Sequence, residues 1–216
     1  MWTPNISSNM NFPAPLAVMA FLAAIAGLFL ALASAAIAWF ARKPKLARAC
    51  LLFVSAGAAI YAALLLGFSL ASHTHILTRS QEKYFCEIDC HLAYSLLDVN
   101  TEPSAGSTHY LVTIRTRFDE TTTSPTRPKD VPLTPSPRIV FLVDASGHHY
   151  HPIATQGTPL LTPLKPSDSY TTQLAFDVPR DTKNLRLLIT TTPAWPDLIV
   201  IGDENSLLHH KTYFAL

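Results

Sequence analysis

Two thiols and an imidazole lie close together in Cys86-Glu87-Ile88-Asp89-Cys90-His91. Outside the cytoplasm such a cysteine pair first suggests a disulfide. In an unbroken strand, residues four apart sit about 13 Å from each other, beyond the ~7 Å reach of a bridge. Pairing therefore requires a bend at Glu87–Asp89, and an extended segment leaves both sulfurs free. Free, two thiolates beside His91 make a soft donor set that suits copper. A second, weaker metal candidate is His149 with His151, which would share a strand face at chelating distance. The gap between the cysteines is too long for the usual haem attachment motif. No Ser–His–Asp order, carboxylate pair or HExxH helix stands out. The expectation is a protein that is not an enzyme and carries no cofactor, with copper as the alternative.

These residues must be positioned by two very different stretches of chain. Residues 1–41 contain no Asp, Glu, Lys or Arg, and neither do residues 49–78. Leu16–Phe40 would span about 37 Å at ~1.5 Å per residue, enough to cross a hydrocarbon layer of ~30 Å. Ala49–Ser72 does the same. A core helix rarely stays apolar on every face for so long, so both are read as transmembrane spans. The leader, residues 1–15, lacks the basic start of a cleavable signal peptide; it carries a glycosylation sequon at Asn5-Ile6-Ser7. Arg42, Lys43, Lys45 and Arg48 fall in the expected loop 41–48, which the positive-inside rule places in the cytoplasm, with both termini outside. Pro44 separates the two helices.

Small residues recur every four positions in each span: Ala23, Gly27, Ala31 and Ala35 in the first, Ser55, Ala59, Ala63, Gly67 and Ala71 in the second. Such stripes let helix backbones approach closely, within the hairpin or against a partner protein or second copy. No ionisable residue lies inside either span, so the helices read as an anchor in membrane lipid. A net charge of +1 gives no footprint for nucleic acid.

Beyond a juxtamembrane linker, 73–83, the period becomes two. In His109–Phe118, Tyr110, Val112, Ile114 and Phe118 point one way and Thr113, Arg115 and Arg117 the other. Tyr170–Val178 repeats the pattern. Arg138–Asp144 and Leu185–Thr192 are apolar on both faces, as interior strands are. Further strands are expected over Tyr84–Val99, Leu198–Ile201 and Thr212–Ala215, with a turn at Asp144–Gly147 and a return strand at Tyr150-His151. About seven strands suit a β-sandwich over residues 84–216. The Thr/Pro-rich loop 119–137 is expected to be disordered.

The stretches LVTIRTRF, PRIVFLVDASGHHYHPI and LTPLKPSDSYTTQLAFDVPRDTKNLRLLIT resemble the immunoglobulin-like extracytoplasmic domains of the DUF4352, or telokin-like, type. Ser167 stands where that pattern usually has Gly. The Cys-x3-Cys spacing is also similar to that of cytochrome oxidase subunit II and Sco-type copper chaperones. Subunit II, however, would need His and Met where Tyr94 and Leu97 stand. The expected whole is an α-helical transmembrane hairpin (16–40 and 49–72) followed by an all-β immunoglobulin-like sandwich. It is read as a binding or scaffold protein of the inner (plasma) membrane; the alternative is a copper- or thiol-handling respiratory accessory using Cys86, Cys90 and His91.

Overall fold

The computed structural model describes residues 7–86, 90–124, 126–128 and 130–216, so the sequon at Asn5 and the bend at Glu87–Asp89 lie outside the described residues. The chain forms two compact units. One combines the leader through Asn9, Thr74–Pro193 and Lys211–Leu216; the other combines Met10–His73 with Ala194–His210.

The helical unit contains α1 (Ala14–Phe40) and α2 (Pro44–Leu70), both long and apolar enough to cross a membrane. The turn between them is shorter than the expected loop 41–48. Arg42 adopts φ 55, its N–H donates to Trp39 O, and the Lys43 N–H donates to Ala38 O. These bonds satisfy the last carbonyls of α1 within three residues. Pro44 then opens α2, where its missing N–H costs nothing. Lys45 and Arg48 consequently lie in the first turns of α2, not in a loop.

The two helices pack on a seam unlike the expected one. Ala14, Ala17, Ala35 and Ala38 are the buried positions of α1, and Ala47, Leu65 and Ser69 those of α2. In α1 these repeat in heptad frame. A strict four-residue stripe instead turns ~40° around the helix per step, so it cannot follow a nearly antiparallel neighbour for long. Of the expected stripe in α1 only Ala35 is buried; Ala31 is half-buried, and Ala23 and Gly27 are exposed. Ser55, Ala59, Ala63, Gly67 and Ala71 are all exposed. A Cβ added at Gly27 or Gly67 would meet nothing within 4 Å.

The second unit is a sandwich of two five-stranded sheets. Its strands are β1 (His75–Leu77), β2 (Glu82–Phe85), β3 (Leu92–Pro103), β4 (Ser107–Phe118), β5 (Arg138–Val143), β6 (His149–Tyr150), β7 (Ala154–Gly157), β8 (Ser169–Pro179), β9 (Arg186–Thr191) and β10 (Thr212–Ala215). Sheet one runs β2-β3-β4-β8-β7, antiparallel throughout. Sheet two runs β1-β10-β9-β5-β6, with β1 and β10 parallel. The inward row of β4 (Val112, Ile114, Phe118) and that of β8 (Leu174, Phe176, Val178) meet Val140, Leu142, Leu187, Ile189 and Phe214 of sheet two in one core. Alternation thus became burial, as the period required. The central strands of sheet two, β9 and β5, are those that read as apolar on both faces.

Several boundaries move. The expected strand Tyr84–Val99 is two strands, β2 and β3, that pair antiparallel across the cysteine pair. The expected linker 73–83 contains β1 and the start of β2. Leu198–Ile201 is not a strand; Asp197–Ile199 forms a 3-10 turn inside the helical unit. Loop 119–137 is tethered rather than free: Leu133 exchanges both backbone hydrogen bonds with Leu164 and packs on the core. Ser167, noted as standing in place of Gly, holds φ 72, a left-handed conformation that Gly adopts without strain. Its hydroxyl donates to Glu120.

Candidate functional site

The site is built where β2 turns into β3. Cys86 and Cys90 are joined by a disulfide, with their Cα atoms 4.2 Å apart. Neither sulfur is therefore available as a thiolate to hold copper. His91 follows at the start of β3. Its ring stacks on Phe118 at 5.4 Å, and Nδ1 lies 2.7 Å from Thr122 Oγ1. The backbone is fixed as well, because the Asp119 N–H donates to His91 O. No cluster of three or more His, Cys, Asp or Glu that could hold a metal occurs among the described residues.

Beside the disulfide is a small cleft of about 60 Å³ lined by Phe85, His91, Leu92, Leu133, Thr134, Ser136 and Arg138. Arg138 lies over the Phe85 ring at 4.3 Å, a cation–π contact. The space suits a few water molecules, not an organic ligand.

A charged cluster lies on sheet one's outer face, and the sequence reading did not identify it. Register explains its assembly. Glu82 pairs with Ser95 and Ser95 with Arg115, while Tyr84 pairs with Ala93 and Ala93 with Arg117. The small Ala93 and Ser95 on β3 let long side chains from β2 and β4 meet above them. Arg117 donates to both Glu82 carboxylate oxygens, each at 2.7 Å, and to Tyr84 and Asp119. The Tyr84 hydroxyl donates to Asp119 Oδ2 at 2.5 Å. Asp119 Oδ1 accepts from the Thr121 N–H and hydroxyl, capping the following turn.

Electrostatics make these fixed charges. The Arg117 hydrogen bond lowers the Glu82 carboxyl below its ordinary range. Burial pushes the Asp119 carboxyl up, but hydrogen bonds from Tyr84, Thr121 and Arg117 outweigh it and hold it at about 2. Burial, with help from Asp119, raises the Tyr84 hydroxyl well above its usual value. Near neutral pH none of the three exchanges a proton, so the arrangement clamps β2, β4 and the Asp119 turn together. The one signal for it in the sequence was alternation: Glu82 and Tyr84, like Arg115 and Arg117, are two apart and share a face.

The other histidine candidates, His149 and His151, lie on sheet two's outer face and both pack on Phe141. His149 stacks on Phe141 at 4.7 Å, and His151 meets the same ring edge-on at 4.8 Å. Burial, with repulsion from Lys211, His151 and His148, lowers the His149 imidazole below its ordinary value.

No family model matches the chain, and no curated protein matches it. Among solved structures, an uncharacterised β-sandwich protein from Clostridium difficile 630 is similar at 8% identity with a TM-score of 0.38, over 67% of this chain and 95% of that one.

Proposed function

We propose that this chain is a membrane-anchored, extracytoplasmic, immunoglobulin-like domain that binds or scaffolds another envelope component and is not an enzyme. The observation that carries the reading is a disulfide-bearing β-sandwich on the same chain as two helices of membrane-spanning length. The basic turn around Arg42 and Lys43 supports a hairpin with its turn in the cytoplasm and both termini outside. The resemblance to DUF4352-type domains, which are often secreted or membrane-anchored, supports the extracytoplasmic setting. The stripe from Ser55 to Ala71, left uncovered by α1, supports association with a neighbouring helix or a second copy.

The test is topological. A reporter enzyme active only outside the cytoplasm, fused after Leu216, is expected to work. A reporter active only in the cytoplasm is expected to work when inserted between Arg42 and Lys43. Thiol labelling of the unreduced, denatured chain should modify Cys50 alone. The reverse reporter pattern, or labelling of Cys86 and Cys90, overturns the proposal.

A further inference from the structure

The helices are longer than a membrane needs. Each has 27 residues, about 40 Å at ~1.5 Å per residue, whereas ~20 residues cross the hydrocarbon layer. Counted from the turn, Leu46–Leu65 of α2 already supplies that thickness. One side of the remaining turns contacts protein of the same unit. The His210 N–H donates to Ser72 Oγ at 2.8 Å, and the Ser69 and Ser206 hydroxyls lie 3.3 Å apart. Nearer the middle of α2, the Tyr61 hydroxyl donates to Ile199 O at 2.7 Å. The approach to α1 takes part too: the Asn11 N–H donates to Gly202 O at 2.9 Å, and Phe12 packs edge-on against Phe68.

The segment Ala194–His210 that makes these contacts is partly inverted for a water-facing loop. Its polar side chains Glu204, Asn205 and Ser206 are buried, Glu204 at 2% exposure. Four of its apolar side chains face outward, Trp195 at 69% exposure and Leu208 at 68%, with Leu198 and Leu207 also exposed, while Ile201 points inward. Soluble loops do the opposite, and polar-inward, apolar-outward segments belong beside lipid. Tryptophan favours the headgroup boundary, and at the opposite end of the hairpin Trp39, also 69% exposed, lies beside the basic turn.

We infer that Ala194–His210 is an interfacial collar that inserts Trp195, Leu198, Leu207 and Leu208 into the headgroup–acyl boundary of a phospholipid surface, around the hairpin end opposite the basic turn. The inference rests on the reading that α1 and α2 span the membrane. It is tested on the full chain reconstituted in phosphatidylcholine vesicles containing lipids brominated either near the headgroup or near the acyl-chain ends. One variant keeps only Trp195 (Trp2→Phe, Trp39→Phe), another only Trp39 (Trp2→Phe, Trp195→Phe). Trp195 should lose at least half its fluorescence to shallow bromines and distinctly less to deep ones. A bimane on Leu208→Cys in a Cys50→Ser background should behave alike. If both probes emit as in water, unquenched at either depth, while Trp39 is quenched, the collar is overturned and the spanning hairpin stands. If Trp39 is also unquenched, the spanning reading fails and the collar with it. Stronger quenching of Trp195 by deep bromines overturns the interfacial placement.

Discussion

The two units bury polar groups by opposite means. In the sandwich, Lys83 is wholly buried, yet its ammonium donates to Ile189 O at 2.7 Å and Thr212 O at 3.3 Å, and lies 4.8 Å from the centre of the Phe85 ring. The group is tolerated in the interior because two strands of sheet two, β9 and β10, bring carbonyls to it. In the helical unit the buried helix positions are alanines with Leu65 and Ser69, and the segment Ala194–His210 buries Glu204 and Asn205 while exposing leucine and tryptophan. The sandwich places its strongest interactions on polar groups that its core encloses. The helical unit, whose helices are long and apolar enough to cross a membrane, relies mostly on small side chains and a few hydroxyl hydrogen bonds.

The largest test of that contrast pairs two buried polar residues. Lys83→Ala removes an ammonium and a buried stem and is expected to cost ~3–5 kcal/mol in denaturant unfolding of the full chain. Ser69→Ala, which loses one hydroxyl contact in the helical unit, should cost only ~0.5–1 kcal/mol. Equal losses would erase the distinction between the units.

Next comes Gly202, held at φ 77, where an added Cβ would sit 2.5 Å from Phe12 Cβ. Gly202→Ala should cost ~2 kcal/mol locally. Limited proteolysis should then cut within 194–210 while the sandwich melts as before; a lowered sandwich melting temperature would mean that the two units are not energetically separate.

Acid probes the charged clamp. Asp119 titrates at about 2 when folded, against 3.8 for the unreacted group. Folded protein therefore holds its proton less tightly than unfolded protein, so the stabilisation is complete above about pH 4 and lost as pH falls towards 2. Asp119→Asn should flatten the melting temperature in that window and leave the helical unit's signal unchanged.

The smallest effects sharpen the seam. Ala38→Leu overpacks a buried position and should destabilise the hairpin by ~1–2 kcal/mol. Ala63→Leu on the exposed stripe should be neutral for intramolecular packing, read as unchanged thermal stability in detergent, so any loss there would place Ala63 in a contact.

Long periodic elements were legible in the sequence and short or tertiary ones were not. β4, β8, β5, β9 and β10 announced themselves through alternation or unbroken apolar runs. β1 and β7 hold only three and four residues, mostly exposed, so no pattern could mark them. Leu198–Ile201 is a short apolar run, and such a run suits a buried strand or a lipid-facing turn equally until its neighbours are known. The same limit applied to the cysteines. Their spacing allowed a bridge or a metal site, and what decided it was the pairing of β2 with β3, a contact between segments. The clamp depended on the smallness of Ala93 and Ser95, residues that carry no chemistry and drew no notice.

The position of β10 bears on how the chain is made. β1 pairs with β10, and β10 bridges it to β9, so the first strand of the sandwich has its sheet partner only after Thr212 has been synthesised. Thr212 also supplies a carbonyl to Lys83. A nascent chain can complete its helical hairpin early, from contacts between neighbouring residues, but sheet two must wait for translation to pass its last strand. During that interval β9 exposes an unpaired edge and Lys83 lacks one of its acceptors. Completion of the β-domain is therefore a late, long-range event, and the interval before it is when newly made chains are most open to chaperones and to aggregation.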